Sequence, residues 1–204
     1  MAVWAAMGIT DLDAAQLSEA IHGRDVSCRE VMAAYLDRID EHNPSVNAIV
    51  SRRDRDELLA EAATCDEELA HGLSRGWMHG MPQAIKDLAE TKALRTTYGS
   101  RLLQHWVPDF DCLMVARMKA AGCIVVGKTN VPEFGKGSHT YNDVFGTTVN
   151  AYDHTRSAGG SSGGAAVALA MHMLPVADGS DYMGSLRNPA AWNNIFGMRP
   201  SQGR

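Results

Sequence analysis

Three short stretches carry the residue types that could do chemistry. The first runs Ser157-Ala158-Gly159-Gly160-Ser161-Ser162-Gly163-Gly164-Ala165-Ala166-Val167-Ala168-Leu169-Ala170. Glycines surround two serines and lead directly into alanines and aliphatics of strong helix propensity. A tight loop opening a buried helix is expected, with the hydroxyls near the positive end of the helix dipole. The second stretch, Asp181-Tyr182-Met183-Gly184-Ser185-Leu186-Arg187, holds a further serine. In the third, Gly80-Met81-Pro82-Gln83-Ala84-Ile85-Lys86-Asp87, a short apolar run ends on a lysine.

Several chemistries fit one of these stretches and fail on another. A phosphate-cradling Walker A loop needs Lys-Ser or Lys-Thr after its last glycine, and here Ala165-Ala166 follows. Gly159-Gly160-Ser161-Ser162-Gly163 also fits the nucleophile elbow G-x-S-x-G, whose acid and histidine partners come later in the chain. Downstream of Ser162 the sequence offers His172, on the same expected helix, with the aspartates after it. That triad cannot be built from these residues. The histidines show no H-x-x-x-H or H-x-x-E-H spacing, and no Cys/His cluster is visible; His22, His42, His71 and His79 read as surface residues. What remains is a serine nucleophile with a lysine base. A serine hydroxyl is weak until a neighbour takes its proton, and a lysine can do that once burial has lowered its pKa. Ala84-Ile85-Lys86 offers such a setting, although a strand-end ion pair between Lys86 and Asp87 fits the local sequence equally well.

The elements that must position these residues follow from capping and periodicity. Thr10 or Asp11 is expected to cap a helix running to His22, closed by Gly23. Ser27 with Glu30 forms a capping box for a second helix, which Asn43-Pro44 should stop. Val46 to Val50 reads as a short strand, and Arg53 to Leu69 as an amphipathic helix. Beyond the Gly72 to Gly80 connection the chain alternates strand-like and helix-like pieces. Asp111 to Ala121 is helical, Gly122 closes it, and Cys123 to Gly127 is a buried strand. Lys128 to Arg156 is loop with short elements, and the Ser161 helix runs to about Met173. Val176-Ala177 is a strand, Pro189 suits a first helical turn, and Ile195 to Met198 is a last strand. The pattern predicts an α/β architecture with catalytic loops at strand ends. With 204 residues, 45% hydrophobic and 21% charged, the chain can bury a core as one domain. A net charge of −5 gives no reason to expect nucleic acid or an anionic membrane as partner. Four scattered cysteines, Cys28, Cys65, Cys112 and Cys123, read as free thiols in a reducing compartment. The apolar Met1 to Ile9 is too short for a signal peptide, and no run approaches the roughly 20 apolar residues that span a bilayer. A cytoplasmic protein is expected.

Taken together, these segments resemble the amidase signature family of serine amidohydrolases. The Gly-Gly-Ser-Ser-Gly-Gly core stands whole from Gly159 to Gly164, with Ile85-Lys86-Asp87 and Gly184-Ser185-Leu186-Arg187 in the right order around it. Tyr98-Gly99-Ser100, Ala121-Gly122, Gly127-Lys128-Thr129-Asn130, Glu133-Phe134, Phe145-Gly146, Asn150 and Gly197-Met198-Arg199-Pro200 also resemble family positions, as does the capping-box helix at Ser27. The resemblance implies an α/β fold with a mixed central sheet flanked by helices, shortened at its C-terminal side. It would form a single domain over 1–204, with a helical segment from about 10 to 70 and a catalytic core from about 71 to 204.

Carried over residue by residue, the resemblance makes Ser185 the nucleophile, Ser161 the bridging serine after a cis peptide bond, and Lys86 the neutral base. The oxyanion would sit against the backbone N–H groups of Tyr182, Met183, Gly184 and Ser185, with Ser162, Asp181 and Arg187 in support. Met183 stands where many members carry glycine, which would strain the loop if that position needs a positive φ. The implied function is hydrolysis of a small-molecule carboxylic amide through an acyl-enzyme on serine, without metal or organic cofactor. A non-catalytic fragment and a glutamine-amidotransferase-type subunit stand as alternatives. Because the family's later strands and much of its pocket are absent, a homodimer or a completing partner subunit is expected.

Overall fold

The computed structural model describes residues 8–203; most of the apolar stretch read from Met1 to Ile9 lies outside them. Helix α1 (Ala14–Gly23) begins one turn later than the sequence suggests. Asp13 accepts from the N–H groups of Ala15 and Gln16, and the Gln16 side chain accepts from the Asp13 N–H. Thr10 and Asp11 instead lie in a 3-10 turn. Gly23 is helical, and the chain leaves through Arg24 at φ 59°. Helix α2 (Cys28–Val46) starts on the expected Ser27–Glu30 capping box. It passes through Pro44 and ends at Asn47, φ 53°. A proline so near the C-terminus removes one N–H bond without breaking the turns before it. Asn43 then ties the helix end to the next strand, its Oδ1 accepting from the N–H groups of Ala48 and Ile49. Helix α3 (Arg55–Ala70), capped by Asp54, packs antiparallel to it across the short β1 (Ile49–Val50).

A small mixed sheet follows, in the order β1, β3, β2. β2 (Pro82–Lys86) lies parallel to β3 (Ile124–Thr129), with Lys86 opposite Thr129, and β1 lies antiparallel on the other edge of β3. Every residue of β2 and β3 is buried, as expected of strands covered on both faces. Helix α4 (Leu113–Ala120) connects them, and Gly122 (φ 106°) makes the turn into β3. The core joins Leu17, Ile21, Met32, Tyr35, Ile39 and Leu58 of the helices to Ile85 and Ile124 of the sheet.

β3 runs two residues further than the sequence suggests, through Lys128 and Thr129, and residues 130–156 are loop with a 3-10 turn (Glu133–Gly135) and a two-stranded hairpin, β4 (Tyr141–Asn142) and β5 (Gly146–Thr147). Helix α5 (Gly163–Ala170) ends three residues earlier than expected, and α6 (Arg187–Trp192) holds Pro189 in its first turn. Neither Val176-Ala177 nor Ile195 to Met198 forms a strand. A strand exists only through pairing, and among the described residues neither segment finds a ladder partner.

Candidate active site

Lys86 is placed by β2. At the carboxyl end of a fully buried strand it is 2% exposed, and it faces the loop before α5. Its Nζ lies 2.9 Å from Ser161 Oγ, 2.7 Å from Ser162 Oγ and 2.9 Å from Ser180 Oγ. Burial pushes the amine down to about 8, against the opposing pull of Asp178 and Asp181. The ion pair with Asp87 does not form. Successive strand residues point to opposite faces, and the Asp87 carboxylate turns to Thr97, accepting from its N–H and hydroxyl. The second buried lysine, Lys128, donates to Ala89 O and Thr91 Oγ1, away from the serines.

The glycine run brings Ser161 to the amine. The Gly160–Ser161 peptide bond is cis, as the resemblance implies. At the start of α5 two glycines permit close approach. A Cβ on Gly163 would lie 2.3 Å from Thr140 Oγ1, and one on Gly164 would lie 2.3 Å from Asn130 N. Ser162 occupies the N-cap position but makes no side-chain cap. Its hydroxyl serves the lysine instead.

Ser185 stands across from this cluster, half-buried. Its carbonyl accepts from Ser162 N–H at 2.9 Å, fastening its loop to the Ser161 loop. Among the described residues no hydrogen bond joins Ser185 Oγ to Ser161. The lysine–serine arm is therefore hydrogen-bonded and the serine–serine arm is not. Of the four expected oxyanion donors, Gly184 N–H is engaged, donating to Asp181 Oδ1 at 2.8 Å. Those of Tyr182, Met183 and Ser185 find no acceptor among the described residues. The positive φ falls on Gly184 (104°), not on Met183, so methionine is accommodated without backbone strain. Asp181 braces the loop from inside. It also accepts from Leu186 N–H and Arg187 N–H and pairs with the Arg187 guanidinium at 2.9 Å. That pair and the loop N–H groups hold its carboxyl well below the usual range.

Three contributors escaped the sequence reading. Ser180 touches the lysine, Asp178 accepts from the Lys86 backbone N–H, and Gln83 reaches the segment that carries both. The closeness of Ser180 and Asp178 to Asp181 in the chain was the only local hint. Beside Ser162 and Asp178 lies an apolar cavity of about 570 Å³, walled by Ala166, Val176, Leu186 and Phe196.

Elsewhere, His79 is buried rather than on the surface, and Cys65, Glu68 and His79 converge into a cluster the sequence spacing did not suggest. Both His79 nitrogens are engaged, with Arg75 N–H and Cys65 O, and Glu68 holds the Arg75 guanidinium. These are structural bonds that a metal would have to displace. All four cysteines are free thiols. No helix among the described residues is long and apolar enough to cross a membrane.

Residues 30–204 match the Amidase family. The chain is similar to a glutamyl-tRNA(Gln) amidotransferase subunit of Acidothermus cellulolyticus, 43% identical over 93% of this chain and 37% of that protein. The counterpart from Thermus thermophilus is 46% identical over 88% of this chain and 36% of its own length. Among solved structures, a bacterial aryl acylamidase of the amidase signature family superposes with a TM-score of 0.88 at 35% identity. That match covers 95% of this chain and 40% of the other. The chain thus spans well under half the length of the curated relatives it matches.

Proposed function

Because the chain belongs to the amidase family, we propose that it carries the catalytic residues of an amidohydrolase that cleaves a carboxylic amide through an acyl-enzyme on Ser185. One observation carries this reading: a buried lysine amine, near neutrality at about 8, lies 2.9 Å from the hydroxyl of Ser161. In the first half-reaction Ser185 Oγ attacks the amide carbon. Its proton passes to Ser161 Oγ as Ser161 gives its own to Lys86 Nζ. The unengaged N–H groups of Tyr182, Met183 and Ser185 are the donors left to receive the developing oxyanion. Collapse breaks the carbon–nitrogen bond, and the amine leaves with the proton returned through Ser161. Water then cleaves the ester by the same relay, freeing the acid and Ser185.

Support for Ser161 as the bridge is its contact with Lys86. Support for Ser185 is its place on the loop fastened to Ser162. Ser162, Asp181 and Arg187 act by position, the first on the amine and the other two on the loop. Neither metal nor organic cofactor enters the scheme. The decisive test is intact mass after exposure to a fluorophosphonate. One stoichiometric adduct is expected on the wild type, lost in Ser185→Ala and formed more slowly in Ser161→Ala and Lys86→Ala. A soluble, cooperatively folded wild type that takes no adduct sinks the proposal and leaves a non-catalytic fragment.

A second reading deepens the first. The amidotransferase relatives favour glutamine as the amide, with a partner subunit that consumes the ammonia. Glutamine hydrolysis that appears only after a second protein co-purifies supports that version, whereas turnover of aryl or aliphatic amides by the chain alone favours a free-standing amidase. A cytoplasmic location fits four free thiols and is tested by fractionation.

A further inference from the structure

Asp178 lies where the chain, leaving α5, passes the outer edge of β2. Both its carboxylate oxygens accept from the Lys86 backbone N–H, each at 3.1 Å. Three residues earlier on the strand, Gln83 returns the contact. Its amide donates to Val176 O at 2.8 Å and accepts from Asp178 N–H at 3.2 Å. This reciprocal clamp fixes the 176–178 segment against the strand that carries the lysine. Two residues on, Ser180 reaches Lys86 Nζ, and Asp181 frames the loop to Ser185. β2 pairs with β3 along one edge only, so Asp178 satisfies an edge donor that would otherwise await a strand.

An acceptor for one N–H need not be charged; asparagine or a backbone carbonyl would serve. What a carboxylate adds is charge, placed beside an apolar cavity where charge is felt strongly. Burial pushes this carboxyl up, while the Lys86 N–H and two cations, Lys128 from β3 and Lys86 from β2, pull it back down. The other groups around it are Gln83, Ser162 and Ser180, which carry no charge, the Cys123 thiol, which burial pushes up to about 12, and the charged Asp13 and Arg117, which line the cavities it borders. Asp181 follows on its own segment but is engaged by Arg187. Asp87, beyond β2, turns to Thr97.

We propose that Asp178 is a positioning residue for the proton-transfer lysine, fixing the Lys86 backbone at the strand edge and acting as the buried counter-charge to its amine. The inference rests on Lys86 being the base. It implies that Asp178 opposes the desolvation of Lys86, so that the amine becomes neutral at a higher pH than burial alone would set.

The test is a pH titration of lysine Cε resonances by carbon NMR on the whole chain, with the Lys86 signal identified by its loss in Lys86→Met. In Asp178→Asn, which keeps an acceptor and loses the charge, the Lys86 midpoint is expected to fall by about one pH unit. Fluorophosphonate labelling of that variant should be several-fold faster at pH 7 and unchanged at pH 10. A midpoint and a labelling profile that both stay in place overturn the counter-charge. Should Asp178→Asn fail to fold, the wild type decides: its Asp178 Cγ signal must report an ionised carboxylate while Lys86 titrates, and a protonated one overturns the proposal. Absence of labelling in the wild type counts against the acyl-enzyme, whereas the NMR titration still decides Asp178.

Discussion

Three hydroxyls around one amine pose a problem of donor count. An ammonium carries three N–H bonds and can serve Ser161, Ser162 and Ser180 together. A neutral amine has two N–H bonds and a lone pair, so one hydroxyl must turn and donate. In the proposed relay Ser161 is the hydroxyl that gives its proton to the amine, which leaves Ser162 and Ser180 to hold the two remaining N–H bonds and aim the lone pair. Ser180→Ala should therefore slow fluorophosphonate labelling about tenfold, the effect of one lost hydrogen bond of about 1–1.5 kcal/mol. A labelling rate equal to the wild type would remove Ser180 from the site. The lowered lysine also has a stability consequence. Below pH 8 the folded chain buries an ammonium. Between about 8 and 10.5 the folded amine is neutral while the unfolded one still binds its proton. Stability relative to Lys86→Met should thus rise with pH across that window, on the order of 3 kcal/mol at most, as urea unfolding at stepped pH would show. The meeting of Lys86 with the glycine-flanked serines was legible because each stands in a local frame of aliphatics or glycines, whereas the part given to Ser185 came from the family resemblance. Asp178, Ser180 and Gln83 were not legible, because their roles arise only when residues about 90 positions apart meet. His79 was misread because its local sequence does not show that the ring is buried and bonded to Arg75 N–H and Cys65 O.

Elements announce themselves when their ends are satisfied locally. The Ser27–Glu30 box was visible in sequence because capping spans only a few residues, whereas the Asp54 cap, one residue inside the helix expected from Arg53, was not singled out. Pro44 misled because a proline stops a helix only where turns remain to be broken. The two missing strands show the opposite dependence. Val176-Ala177 and Ile195 to Met198 have strand-like residues, but β structure is a property of pairs, and Gln83 and Asp178 side chains take the place of a ladder at the first of them. The glycine run is an element-scale device too. Gly164 lets α5 approach Asn130 and the carbonyl of Ala48, at the ends of β3 and β1. Gly164→Ala should destabilise by about 1–3 kcal/mol through overpacking. Because α5 starts directly after Ser161 and Ser162, the variant should also lose labelling out of proportion to its unfolded fraction. If its stability matches the wild type by urea unfolding, the close packing of α5 on the sheet is not what positions the serines.

For the whole molecule, one patch of exposed apolar side chains follows α6. Phe196 is 87% exposed and Met198 67%. The same segment lines the cavity next to Asp178, so this face adjoins the catalytic loops rather than lying remote from them. Monomers seldom leave contiguous apolar surface of this kind uncovered. The solved aryl acylamidase is covered over only 40% of its length by this chain, so a family fold has ample further polypeptide with which to bury such a face. In the 204-residue chain by itself, a second copy is the surface available to cover it. Size-exclusion chromatography with light scattering should give a mass that rises with concentration above one chain. Phe196→Ser/Met198→Ser should hold it at one chain, while the fluorophosphonate adduct on Ser185 survives, since neither side chain touches the lysine or the serines. A strictly monomeric wild type would show that these side chains fold back in solution. If the double variant instead lost the adduct, the face would be supporting the loop that presents Ser185. Association would then be part of how the site is assembled.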